Sequence, residues 1–185
     1  MPSPFRQIMP RHFETEVEQF PWNRRVWRID MHHTWFPAHR DYDGAPCIER
    51  MAKHHVEQRH FDDIAQHASI APDGMIWTGR DWNLDPASVG FGMNRGVFMI
   101  EAIGNFDTGC DRLEGAQLHS VTAVIEIVQR HFQLPIQALL FPREMPQTAK
   151  TCPGSSVDKA HIMRLAAGRR RRAAPVNSGH SAMVA

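Results

Sequence analysis

Apolar positions change their period several times along the chain, and each change marks an element. Val26 to Thr34 (VWRIDMHHT) is rich in β-branched and aromatic residues and predicts a buried strand, stopped by Pro37. Beyond the loop FPAHRDYDGAP, Ile48, Met51, Ala52 and Val56 fall at helical spacing. IAQHASIA and MIWTG flank the turn residues Pro72, Asp73 and Gly74, which is a hairpin signal. The segment RDWNLDPASVGFGMNRG is long, punctuated by glycine and proline, and polar between its aromatics; loops of that kind in a compact domain are often functional. VFMIEAIG has apolar residues at nearly every position and predicts a central strand, buried on both faces. Leu118, Val121, Ile125, Val128 and Phe132 mark an amphipathic helix over residues 114–132. ALLF gives another short strand, PREMPQTAKTCPG is irregular, and Ser155 or Ser156 is placed to cap a last helix ending near Ala167.

The order β-α-β-β-β-α-β-α predicts an α/β class: a single domain with a mixed central β-sheet flanked by helices. Residues 1–23 mix proline, arginine and isolated aromatics and read as a loosely packed lead-in to a domain over 24–167. Residues 168–185 lack a core pattern and read as a basic, disordered tail.

Composition narrows the possibilities without choosing among them. The chain has 185 residues, 42% hydrophobic and 22% charged, enough for one self-sufficient core. A formal net charge of +1 gives no global pull toward nucleic acid, and the Arg169–Arg172 run reads as a solvated tail. No apolar run reaches the ~18 residues of a membrane span, and the N-terminus lacks a signal-peptide core. The expectation is a soluble chain, cytoplasmic as synthesised, that leaves the cell only by release or a non-standard export route. Three cysteines, an odd and scattered set, read as free thiols. With twelve histidines present, no single histidine coincidence carries much weight.

Three places could carry chemistry. In Lys150-Thr151-Cys152-Pro153-Gly154 a thiol sits beside a cation and a tight turn, suited to a thiolate metal ligand with its pKa lowered by the lysine. A half-buried structural cysteine remains open there. In Met31-His32-His33-Thr34, strand alternation lets one histidine enter a site while the other packs or meets substrate; a polar strand end is the alternative. Glu101, inside an apolar run, is costly to bury unless paired or used, and its surroundings should raise its pKa toward general acid–base work. A strand-end carboxylate reaching water or an arginine would look the same in sequence.

Taken together and in order, MHHTW, DIAQHASIAPDGMIWTGRDW, PASVGFGMNRGVFMIEAIGNFD and FPREMPQTAKTCPG resemble the type-2 N-acetylmuramoyl-L-alanine amidases and the related peptidoglycan recognition proteins. The resemblance spans residues 26–165. It implies a fold of that family and a peptidoglycan or muropeptide partner. It further implies a Zn2+ cofactor held by His32 and Cys152, oxyanion stabilisation by Lys150, and orientation or deprotonation of a metal-bound water by Glu101. Another branch uses a tyrosine before the hairpin strand; Gln66 stands there, leaving the glutamate version. Substrate contacts are expected from His33, Trp35, Arg80 and Asn94, and from His67 in the cleft wall, where a core role suits it better than ligation. Trp77, Trp82 and Phe91 join Trp35 as a cluster of which one or two could stack on sugar rings, with ordinary core and rim packing as the alternative.

The family places a second zinc-binding histidine in a phrase like Phe-His-Arg-Glu-Met. Here the phrase is Phe141-Pro142-Arg143-Glu144-Met145, and proline offers no donor atom. Catalytic zinc normally takes three protein ligands, and Glu144 is the nearest carboxylate that could swing in. The implied function is zinc-dependent hydrolysis of the amide between N-acetylmuramic acid and L-alanine, compromised at Pro142. The alternative is a non-catalytic module recognising the same muropeptide. A cysteine hydrolase built on Cys152 is a third, weaker option, since Pro-Gly follows the thiol.

Overall fold

The computed structural model describes residues 4–90, 92–146 and 148–173. Its centre is a six-stranded mixed sheet. In chain order the strands are β1 (Gln7–Ile8), β2 (Arg28–His33), β3 (Ala68–Ile70), β4 (Ile76–Thr78), β5 (Val97–Ala102) and β6 (Leu139–Leu140). The helices are α1 (Pro10–Gln19), α2 (Ala45–Glu57), α3 (Gly115–His131) and α4 (Lys159–Ala173). Across the sheet the order is β1-β4-β3-β5-β2-β6. β4 pairs antiparallel with β1 and β3, while β3, β5, β2 and β6 run parallel.

β5 is the middle of the parallel block and every one of its residues is buried, as its unbroken apolar run requires. Neighbours alternate between faces: Ile76 joins the core under α1, α3 and α4, whereas Trp77 joins Ile48 and Met51 of α2. Helices therefore cover both faces of an α/β domain. The hairpin between β3 and β4 closes through Gly74 at φ +84°, whose amide donates to the Ala71 carbonyl at 2.9 Å. A Cβ there would lie 2.9 Å from the Ala116 carbonyl oxygen, so glycine serves both the turn and the close approach of α3. No helix among the described residues is long and apolar enough to cross a membrane.

Three expectations need correcting. Residues 5–23 are not a loose lead-in: α1 starts with Pro10 in its first turn and buries Phe13 and Val17 completely. Phe20 and Trp22 add rings to Trp82 and Phe98, with Trp22 stacked on Trp82 at 5.6 Å. The last helix is capped by Asp158, not by Ser155 or Ser156; its Oδ1 accepts the amides of Ala160 and His161. That helix also continues past Ala167 through the arginine run. Arg169 donates to Thr122 Oγ1 and Arg170 to the Leu134 carbonyl, so half of the run is anchored to α3 and its exit. Residues 174–185 of the expected tail lie outside the described residues.

Candidate functional site

The parallel register brings chemistry to one edge of the sheet. His32 pairs with Glu101 across β2 and β5, and Glu101 with Ser69 across β5 and β3. Each lies near the carboxyl end of its strand, where open α/β sheets leave a crevice. A cleft of about 750 Å³ opens there. His32, His33, Trp35, Glu101, Pro142, Lys150 and Cys152 all line it. So do His54, His55 and Arg59 from α2 and the turn after it, together with Ser88 from the long loop; none of these four was singled out from sequence.

Glu101 is buried, its Oε2 has no hydrogen-bond partner among the described residues, and burial pushes its pKa up to about 7. Burial likewise pushes His32 down to about 3, with Lys150 and His33 adding to the shift. His33 Nδ1 accepts the Phe106 amide at 3.2 Å, and burial lowers its pKa to about 4. The neighbouring histidines thus divide as strand alternation suggests, one engaged with the long loop and one with the turn after β5. Lys150 does not dominate Cys152 as expected: burial pushes the thiol up to about 12, outweighing the His33 amide and Lys150. A free thiol so disposed is a poor nucleophile, which argues against the cysteine-hydrolase option.

Trp35 adopts φ +59°, a left-handed conformation unusual outside glycine, held by its amide to the Gly104 carbonyl at 3.1 Å. The bend leaves Trp35 61% and Phe36 69% exposed on the cleft rim. Trp77 and Trp82 are buried in the two cores, as the packing alternative has it, and Phe91 lies outside the described residues.

Three other expected substrate contacts sit elsewhere. Arg80 is buried and directs Nε to the Ile64 carbonyl, Nη1 to Asp85 and Nη2 to Asp63. Asn94 Oδ1 closes the long loop by accepting the Gly90 amide at 3.0 Å. His67 is fully buried; Nδ1 accepts the Met99 amide at 2.9 Å and Nε2 faces the Leu84 carbonyl at 2.9 Å. Each polar group supports backbone that carries the cleft, and none lines it.

His67 also makes a measurable demand on folding. Burial pushes its pKa down to about 3, from an ordinary value near 6.5. Between those values the unfolded chain takes up a proton that the folded chain refuses, so stability falls as pH drops through that window, by about 1.4 kcal/mol per pH unit. His67→Gln is expected to flatten the pH dependence of stability by about that amount. Urea titrations near pH 7 and near pH 5 measure it, and equal slopes in both proteins would rule the assignment out.

His32 and Cys152 line the cleft together with Pro142, which has no donor atom, and Glu144 is turned away to Lys159 Nζ at 2.6 Å and the Phe141 amide at 3.0 Å. Among the described residues no group of three or more His, Cys, Asp or Glu is placed to hold a metal.

Comparison with known proteins agrees with this architecture. The chain is 28% identical over 138 residues to a pig N-acetylmuramoyl-L-alanine amidase; the match covers 69% of this chain and 21% of the pig protein, about a fifth of its length. Drosophila PGRP-LB superposes with a TM-score of 0.63 at 26% identity, over 76% of this chain and 81% of that one. A mutant form of PGRP-LB in complex with tracheal cytotoxin gives 0.64 at 26% identity, over 76% and 82%. The Clostridium intestinale endolysin amidase LysCS shares the fold, with a TM-score of 0.62 at 24% identity over 79% and 90%. The sequence model of the N-acetylmuramoyl-L-alanine amidase family matches residues 22–155, which is most of the described chain, and the chain belongs to that family.

Proposed function

We propose that this chain is a muropeptide-binding domain of the amidase family whose hydrolytic centre is incomplete. One observation carries the reading: the cleft gathers His32, Glu101, Lys150 and Cys152 together with Pro142, a residue without a donor atom at the position where the family resemblance implies a histidine ligand. Zinc with two protein ligands is weakly held. Binding needs no metal. Lys150 and Arg59 offer charge to the carboxylates of a stem peptide, and Trp35 and Phe36 offer ring faces to a sugar. The solved complex of a similar protein with tracheal cytotoxin supports this class of ligand.

Hydrolysis is the second reading, favoured by Glu101. A buried carboxylate with an unpartnered oxygen and a pKa near 7 is costly to keep and suits proton transfer.

Calorimetry with a soluble muropeptide, together with zinc analysis of the purified chain, separates the two. The expected result is binding, zinc well below one per chain, and no release of stem peptide. One zinc per chain with stem-peptide release would establish the hydrolase, and no binding at all would defeat both readings.

A further inference from the structure

His32 is not free to choose which ring nitrogen carries its proton. Strand alternation sends Asp30 and His32 to the same side of β2. Asp30 is fully buried, and its carboxylate accepts Arg28 Nε at 2.6 Å and Nη2 at 3.1 Å. Ser88 Oγ lies 2.7 Å from Asp30 Oδ2 on one side and 2.7 Å from His32 Nε2 on the other. A serine hydroxyl has one proton, and a carboxylate beside a guanidinium only accepts. The Ser88 proton therefore goes to Asp30, and the bond to His32 is closed only if the imidazole donates. The reverse arrangement would set lone pairs of Ser88 Oγ and Asp30 Oδ2 against each other in a desolvated contact.

We infer that Ser88 and Asp30 are positioning residues that hold His32 as its Nε2–H tautomer, leaving Nδ1 as the ring's acceptor. Arg28 makes the device rigid. The Nη2 that binds Asp30 also donates to the Met93 carbonyl at 2.8 Å, tying the loop that carries Ser88 to the strand that carries His32. The far end of that loop is fixed as well, since Asp85 Oδ1 accepts the Gly96 amide and Arg24 Nη1. Outer partners of this kind commonly set the tautomer of a functional histidine. The importance of Nδ1 rests on the proposed role of the cleft; the tautomer itself does not.

Nitrogen-15 spectra of histidine-labelled full-length protein read the tautomer directly, with the His32 signals assigned by their loss in His32→Gln. The expected signature is a pyrrole-type Nε2 and a pyridine-type Nδ1. In Asp30→Asn the new amide can donate to Ser88 Oγ, which turns the serine proton toward His32 and should exchange the two signatures. In Ser88→Ala the single tautomer should give way to a mixture. A native His32 protonated at Nδ1, or a folded Asp30→Asn with unchanged signals, would overturn the inference. Should Asp30→Asn not fold, Ser88→Ala decides: a single, unchanged Nε2–H tautomer there would equally overturn it. A failure to bind muropeptide would leave these spectra as they are, so the two proposals fail separately.

Discussion

Pro142→His is expected to raise zinc affinity by about a hundredfold and, on the proposed binding-only reading, to bring with it a release of stem peptide not expected of the native chain. The estimate comes from structural zinc sites, where ~10–16 kcal/mol is shared by four ligands, or about 3 kcal/mol each. The geometry favours the change. Residue 142 lines the cleft, and the amide of Arg143 donates to the Cys152 carbonyl at 3.0 Å, so a side chain at 142 stands beside the Cys152 segment. Pro142 begins a 3₁₀ turn over Pro142–Glu144. The first residue of such a turn has no intrahelical partner for its N–H, so histidine removes no backbone bond. The bonds that hold the turn are Glu144 N to the Phe141 carbonyl, Met145 N to the Pro142 carbonyl, and Phe141 N to Glu144 Oε2; none uses the proline ring. Zinc titration against a competing chelator measures the first effect, and chromatography of muropeptide digests the second. Equal zinc affinity in the native chain and in Pro142→His would show that the proline is not what limits the site.

How much of this was legible in the sequence depends on whether a residue's role is local or relational. The run Val97–Ala102 reads as a central strand because burial on both faces demands apolar residues throughout, and that demand is written at every position. His32 and Glu101 could be placed at the cleft because ordered motifs hold them at the ends of parallel strands, and Cys152 because its motif forms the turn that lines the same cleft. Arg80 and Asn94 were misplaced for the opposite reason. A side chain's identity gives its hydrogen-bonding capacity but not its partner, and Arg80 finds three backbone carbonyls inside the domain. Cys152 was read as acidified by Lys150, but burial, which no pentapeptide reveals, outweighs the neighbouring cation. Ser88 carried no motif at all. Asp30 and His32 stand two apart on one strand, which was visible, but only the folded long loop brings Ser88 between them.

Phe13→Ala is expected to cost about 3–5 kcal/mol, the range for deleting a ring from a packed core, and to lower the melting temperature by about 10 °C or more. The size of the effect follows from where α1 lies. Phe13 is 0% exposed, and its ring sits 5.6 Å from that of Trp82. Trp82 in turn meets Phe98 of β5 edge-on at 5.7 Å, three residues before Glu101 along that strand. Removing the ring leaves a void bounded by Trp82 and the α3 face, too deep for the ten-residue helix to close by shifting, because α1 is held at both ends. Pairing of β1 with β4 fixes its start, and the Trp22 indole fixes its exit by donating to the Val17 carbonyl at 2.8 Å. Urea unfolding followed by tryptophan fluorescence gives the midpoint, and the slope shows whether the compact unit has changed. A loss below about 1 kcal/mol would mean that α1 rests on the domain without supporting it. A loss in the expected range makes α1 part of the wall behind the cleft: the aromatic stack it completes backs the strand that carries Glu101.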